Sequence, residues 1–192
     1  EKDQVLATDF RYIEQAEQQA PGYRIERITA SASWLPQLAL NAGITRIGFE
    51  ADNVSISTHS TFLKAIQGDI ESSNLELIAT NEFIDKMRAI KDNDELELLE
   101  KAITVTDQAF EKVSASIKPG ITEKQVAWEL EKSMREQGAE GLAFDIIVGA
   151  GANGALPHHL ADDTPILSGQ SVVIDMGAKY QGYCADLTRT IF

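Results

Sequence analysis

Apolar and polar positions follow two textures along this chain, and the change between them falls near Asn81. Before it, short apolar runs alternate with helical stretches. Val5 to Thr8 is the first such run, and Asp9 follows as a candidate N-cap for a helix that stops at Pro21-Gly22. Tyr23 to Ile28 alternates as a strand does, Ser33 to Ala42 reads as a helix stopped by Gly43, and Ile44 to Phe49 reads as a second strand. A helix near Thr58 to Gln67 and a strand near Leu75 to Ile78 continue the order. Strands that alternate with helices predict an α/β layer with a mainly parallel sheet. No glycine-rich phosphate loop opens any of these helices, so nucleotide binding gains no support.

After Asn81 the segments become long and helical. The most regular begins after Asp92-Asn93 and carries Leu96, Leu99, Ile103, Thr106, Phe110, Val113 and Ile117 at spacings of three and four, which predicts one apolar face. Lys118-Pro119-Gly120 stops it. Thr122 and Gln125 then form a capping box, in which each side chain satisfies the other residue's free backbone amide, and the helix they open runs to about Gln137-Gly138. Beyond Gly141 the pattern is strand-like. Phe144 to Gly149 is followed by a loop through Ala150 to Gly154 and then by Ala155-Leu156-Pro157-His158-His159. Ser171 to Ala178 and Gly182 to Phe192 flank the turn Lys179-Tyr180-Gln181-Gly182 and predict a β-hairpin. There is no internal repeat and no low-complexity segment.

Composition narrows the function classes. Hydrophobic residues make up 43% and charged residues 24% of the 192, the profile of a globular protein. No apolar run approaches the roughly 20 residues that span a bilayer, and Glu1-Lys2-Asp3-Gln4 has neither a basic cluster nor an apolar core, so a cytoplasmic location without membrane contact is expected. The net charge of -13 repels a phosphate backbone and argues against a nucleic-acid partner. Cys184 is the single cysteine, which excludes an internal disulfide and a cysteine-based zinc site.

The chemistry concentrates near the hairpin. A turn symmetric about Tyr180-Gln181 places Asp175 directly opposite Asp186, on one face, with Cβ atoms about 4.5–5.5 Å apart. Two like charges there are solvated, share one proton, or hold a cation between them; oxygen ligands of this kind suit manganese, cobalt or zinc in two-metal hydrolases. Asp175 lies within Val172-Val173-Ile174-Asp175-Met176-Gly177, where an acid in an apolar strand needs a partner or a metal to offset its desolvation. His158 and His159, judged on spacing alone, read as surface loop residues, and His59 as structural. Thr188, Arg189 and Thr190 share a strand with Asp186 and are placed to hold its carboxylate; ordinary strand packing accounts for them nearly as well. Cys184 reads as a small buried residue with no base beside it.

Ile174-Asp175-Met176-Gly177-Ala178, Gly182-Tyr183-Cys184-Ala185-Asp186-Leu187-Thr188-Arg189-Thr190 and Ala155-Leu156-Pro157-His158 resemble, in order, three signatures of the Xaa-Pro peptidases, the prolidase and aminopeptidase P family. The resemblance extends back through Met87-Arg88-Ala89-Ile90-Lys91 and, more loosely, through Thr8-Asp9-Phe10-Arg11-Tyr12. It implies a creatinase-like N-terminal α/β domain over residues 1–84, lacking its first elements, followed by the first half of an α+β pita-bread catalytic domain over residues 85–192. It also implies two divalent metal ions, manganese foremost, with Asp175 and Asp186 as their first two ligands. His158 would then be an active-site histidine outside the ligand set. The implied substrates are proline-containing peptides and the implied assembly is a homodimer.

The remaining ligands, one histidine and two glutamates, follow the Thr-Arg-Thr segment in that family and are expected outside this chain. Residues 1–192 are thus expected to be an internal piece that is inactive alone. Two rivals remain at this point. Creatinase uses the same fold without a metal, and both aspartates argue against it; a non-catalytic pita-bread module that binds proteins differs in having lost metal ligands.

Overall fold

A computed structural model describes residues 4–29, 32–68 and 74–192. Residues 1–3, part of the start read above as unlike a leader, lie outside them. The chain divides into two compact units, Glu1–Ile90 and Lys91–Phe192.

The first unit runs β1 (Val5–Thr8), α1 (Ile13–Gln19), β2 (Arg24–Arg27), α2 (Trp34–Asn41), β3 (Arg46–Glu50), α3 (Ile56–Gln67), β4 (Glu76–Thr80) and α4 (Phe83–Arg88). Among the described residues its ladders are parallel pairs, β1 with β2 and β3 with β4, rather than one continuous sheet. Its core gathers Leu35, Ala39, Ile66 and Leu75, with Trp34 packed edge-on against Phe62 at 6.1 Å between ring centres. Ser55 caps α3 by accepting from the Thr58 amide at 3.1 Å. Asp9, by contrast, caps nothing. Its carboxylate accepts from the backbone and side chain of Arg11, with contacts of 2.7 to 3.0 Å, and α1 starts without a side-chain cap. A short acid can close such a local turn on the amide two residues ahead in place of a helix. The Arg11 side chain holds the Asp9 carboxyl at about 2. His59 lies against Phe49, 5.0 Å between ring centres, which fits its structural reading.

The second unit runs α5 (Asn93–Ser114), α6 (Glu123–Glu136), β5 (Gly141–Leu142), β6 (Ile147–Ala150), a 3-10 turn at Gly151–Ala155, β7 (Val172–Met176), β8 (Ala178–Tyr180), β9 (Tyr183–Cys184) and β10 (Leu187–Ile191). Both long helices begin at capping boxes: Asp92 with Glu95, and the expected Thr122 with Gln125. The buried face of α5 is Ala102, Val105, Thr106, Ala109 and Val113, whereas Leu96 and Ile103 are about half exposed. Small side chains form this face because β8 and β9 pack closely on the helix. Apolar spacing alone favours the larger residues and so rotates the predicted face. Val126, Leu130 and Met134 of α6 join Val148, Val172, Ile174 and Met176 in one core, all with essentially no exposed surface.

The hairpin forms, and its turn is displaced. Gln181 (φ 46°) and Gly182 (φ 86°) are its central residues, and positive φ at both is the mark of a type I′ turn, whose twist matches the strands it joins. Tyrosine is a poor occupant of that left-handed position, which moves the centre one residue past Tyr180-Gln181. Partners therefore move by two: Asp175 pairs with Thr188, not Asp186. The strands also break midway. At Gly177 an added Cβ would collide with the Ala185 carbonyl, so only glycine fits where the ladder β10-β7-β6 hands over to β5-β8-β9.

Left-handed backbone costs an ordinary L-residue about 1–2 kcal/mol. Gly182→Val is expected to lower the urea midpoint by roughly that much stability, while Gln181→Asn, which tolerates the conformation, leaves the midpoint unchanged or higher.

Candidate functional site

β7 buries Val172, Ile174 and Met176 on one face, so period-two alternation turns Asp175 to the other, where it is half-buried. Its Oδ1 accepts the Thr188 hydroxyl at 2.8 Å. Asp186 lies in the break between β9 and β10, two residues before Thr188, which makes it a diagonal neighbour of Asp175. The shift of two preserves side-chain parity; a shift of one would have sent the two acids to opposite faces. Both line a cleft of about 410 Å³, together with His158, Phe144, Ile147 and Pro157. Asp186 and His158 are exposed to it. Another hollow of about 410 Å³, between Ser114–Pro119 and Ile166–Val172, has Lys118 as its one charged side chain, so the chemistry selects the first.

The residues expected to hold Asp186 are placed differently. Thr188 binds Asp175, and Arg189 donates to the Thr188 carbonyl at 2.8 Å. Cys184 is exposed rather than buried, because β9 is a two-residue edge strand. Among the described residues neither Asp175 nor Asp186 has a cationic side chain in ion-pair range, and Asp186 makes no side-chain hydrogen bond. Asp145 borders the same cleft, and the adjacent carboxylates of Asp175 and Asp186, with no Lys or Arg in ion-pair range among the described residues, are a donor set that fits a divalent cation.

The loop that carries His158 is fixed from beneath. Glu123, the first residue of α6, is wholly buried. Its Oε1 accepts from the Ala150 amide at 2.8 Å and the Asn153 side chain at 3.0 Å; its Oε2 lies 2.6 Å from His159 Nε2 and 3.4 Å from the Asp162 amide. In return the Thr164 and Asp162 carbonyls accept from the Glu123 and Lys124 amides at 3.1 and 2.9 Å, satisfying helix-start donors that would otherwise be orphaned. Thr164, through hydroxyl and amide, holds the Asp162 carboxyl below the ordinary carboxylate range. Glu123, His159 and Asp162 stand close enough to hold an ion, all ligand atoms within 4.8 Å. The oxygens of Glu123 are, however, already occupied by protein donors, so the group serves the loop. His159 is thus more than the loop neighbour its position suggested. Glu123 was missed altogether, since a glutamate at a helix start looks like any solvated acid favoured by the helix dipole.

A second buried polar group acts on the other side. Thr106 accepts the Ala178 amide at 3.0 Å and donates to the Ala102 carbonyl at 2.8 Å, fixing β8 one residue past the break at Gly177.

The model of metallopeptidase family M24 matches residues 97–192, and that of the creatinase/prolidase N-terminal domain matches residues 1–90. The chain belongs to metallopeptidase family M24. Among curated M24-like relatives it is 40% identical to an uncharacterised peptidase of Bacillus subtilis, over 96% of this chain and 51% of that protein. It is 34% identical to an Xaa-Pro dipeptidase of Pyrococcus horikoshii, over 94% and 56%. A solved Xaa-Pro dipeptidase from Bacillus anthracis superposes with a TM-score of 0.87 at 41% identity, over 96% of this chain and 50% of that one. The chain spans about half the length of these relatives. The expected fold is shown: a creatinase-type N-terminal domain followed by part of a pita-bread domain.

Proposed function

We propose that this chain belongs to a metal-dependent Xaa-Pro dipeptidase or aminopeptidase, which hydrolyses peptide bonds preceding proline. The observation that carries the reading is the convergence of Asp175, Asp186 and His158 on one cleft, with no Lys or Arg in ion-pair range of either acid among the described residues. Similarity to an Xaa-Pro dipeptidase of Pyrococcus horikoshii and to an X-Pro aminopeptidase of Thermotoga maritima (TM-score 0.84, 35% identity) supports the same substrate class.

Asp175 and Asp186 would hold two divalent ions jointly with ligands from elsewhere in the protein, and manganese suits the oxygen donors best. Such ions, when bound, polarise the scissile carbonyl and make water a better nucleophile near neutral pH. Thr188 orients the Asp175 carboxylate through its 2.8 Å bond, leaving the second oxygen free for an ion. His158, outside the ligand set, would donate a hydrogen bond to the substrate carbonyl oxygen as negative charge develops there. A cytoplasmic homodimer acting on proline-containing peptides is the setting we propose.

Three measurements test the reading. In the protein made from the whole gene, Asp186→Asn should lose bound metal and peptidase activity together, and two ions per subunit with full activity would sink the ligand assignment. His158→Ala should lower turnover about 10²–10³-fold, the usual size for a lost transition-state hydrogen bond, with metal content intact; normal turnover or lost metal would reassign the histidine. Residues 1–192 alone supply only part of the coordination two ions need, so the purified segment with added manganese should not cleave Ala-Pro.

A further inference from the structure

His158 sits in the turn Leu156-Pro157-His158-His159, closed by the His159 amide donating to the Leu156 carbonyl at 3.2 Å. Pro157 and His158 are its central residues, and proline presets the backbone angle of the first. The Leu156 amide also donates to the Asn153 carbonyl at 3.0 Å, and the side-chain anchor of the turn is the His159 ring. Its side chain is 9% exposed and meets the fully buried Glu123 at 2.6 Å. Ala150, Asn153 and Asp162 direct N–H donors at the carboxylate, and His159 Nε2 meets its remaining side; an ionised carboxylate can only accept, so with Glu123 charged the Nε2 is the donor.

A buried carboxylate is costly unless donors surround it, so this contact is strongly directional: the ring cannot leave without stranding charge in the core. Both histidines border the cleft, but the His159 ring is tied to Glu123 and largely buried, whereas His158 is the exposed one of the two.

We propose that Glu123 and His159 are positioning residues for the peptidase reaction, a buried pair that fixes the turn and so aims His158 at the cleft. The activity arm of the test rests on the reading of His158 given above; the exchange arm does not. His159 is the better residue to change, because Glu123 also holds Ala150 and Asn153.

The experiment uses the protein from the whole gene, Ala-Pro as substrate, and the variants His159→Phe, which keeps a ring without the donor, and His159→Gln, which keeps a donor. His159→Phe should lower kcat about 10–100-fold with metal content unchanged. Amide exchange over residues 156–163 should speed up about tenfold or more while α5 and β7 stay protected. His159→Gln should restore most of both. The double variant His158→Ala/His159→Phe should be no slower than His158→Ala alone to within about twofold, since residues that act as a unit are not additive. Unchanged exchange in His159→Phe, failure of His159→Gln to rescue, or a double variant showing the product of the two losses would each overturn the proposal. If His158→Ala turned over normally while exchange in His159→Phe still rose, the role of His158 would fall and the pair would stand as the fixture of the turn.

Discussion

The carboxylate of Glu123 has no solvent-exposed surface, and the loop side of the cleft depends on it. Ionised groups in an interior cost several kcal/mol each unless hydrogen bonds replace the lost hydration. Four contacts from Ala150, Asn153, His159 and Asp162 do so here, running from the end of β6 through the 3-10 turn into the loop beyond it. Loops normally owe their position to neighbours they touch weakly. This one is tied to the start of a capped helix by a group that is destabilised if the loop leaves, and the exchange of helix-start amides for the Asp162 and Thr164 carbonyls makes the tie reciprocal.

How much of this could be read from sequence follows the range of the interactions. Local ones were legible. The Thr122/Gln125 box, the long helix after Asp92, the hairpin and the strand-helix order of the first unit are set by residues within a few positions of each other, and they appear where expected with ends shifted slightly. The hairpin register was not legible to the residue, because it turns on which two residues accept positive φ, and Tyr180-Gln181 and Gln181-Gly182 differ by one step. The buried face of α5 was obscured for a different reason. Periodicity weighs large apolar side chains, while Ala102 and Ala109 are buried because strands need to come close. Glu123 lies 27 to 39 positions from its partners, and nothing near it in sequence distinguishes it from a surface acid.

The two acids illustrate why a wrong register can still give a right neighbourhood. Asp175 is flanked by Ile174 and Met176, both without exposed surface, and burying those two obliges its side chain to face away from the core. That constraint is independent of the partner strand. On the partner, Thr188 and Asp186 share parity, so the expected register and one displaced by two towards the C-terminus both return an acid or a hydroxyl to the side of Asp175. The observed displacement brings the hydroxyl opposite and the second acid diagonal to it, which gives Asp175 an orienting bond that direct opposition of the acids would have denied.

Buried polar side chains are a sparing choice in any core, so where they point shows which pieces of backbone the fold must hold still. Among the described residues of this chain the buried polar or charged side chains are Thr106, Glu123 and Ser133. Ser133 bonds Gln137 within the end of its own helix. The other two reach across the core: α5 sends Thr106 to the backbone of β8 beside the break at Gly177, and α6 sends Glu123 to the loop that carries His158. Each long helix therefore fixes one wall of the same cleft, the aspartate wall by a hydroxyl and the histidine wall by a carboxylate. Neither can become an apolar group of the same size without orphaning a buried amide, that of Ala178 or that of Ala150, at a cost of about 1–3 kcal/mol each. What an apolar core cannot supply is direction. A hydroxyl and a carboxylate each set one geometry for the amide or ring they bind, and the two geometries they set are those of the segments that must meet across the cleft.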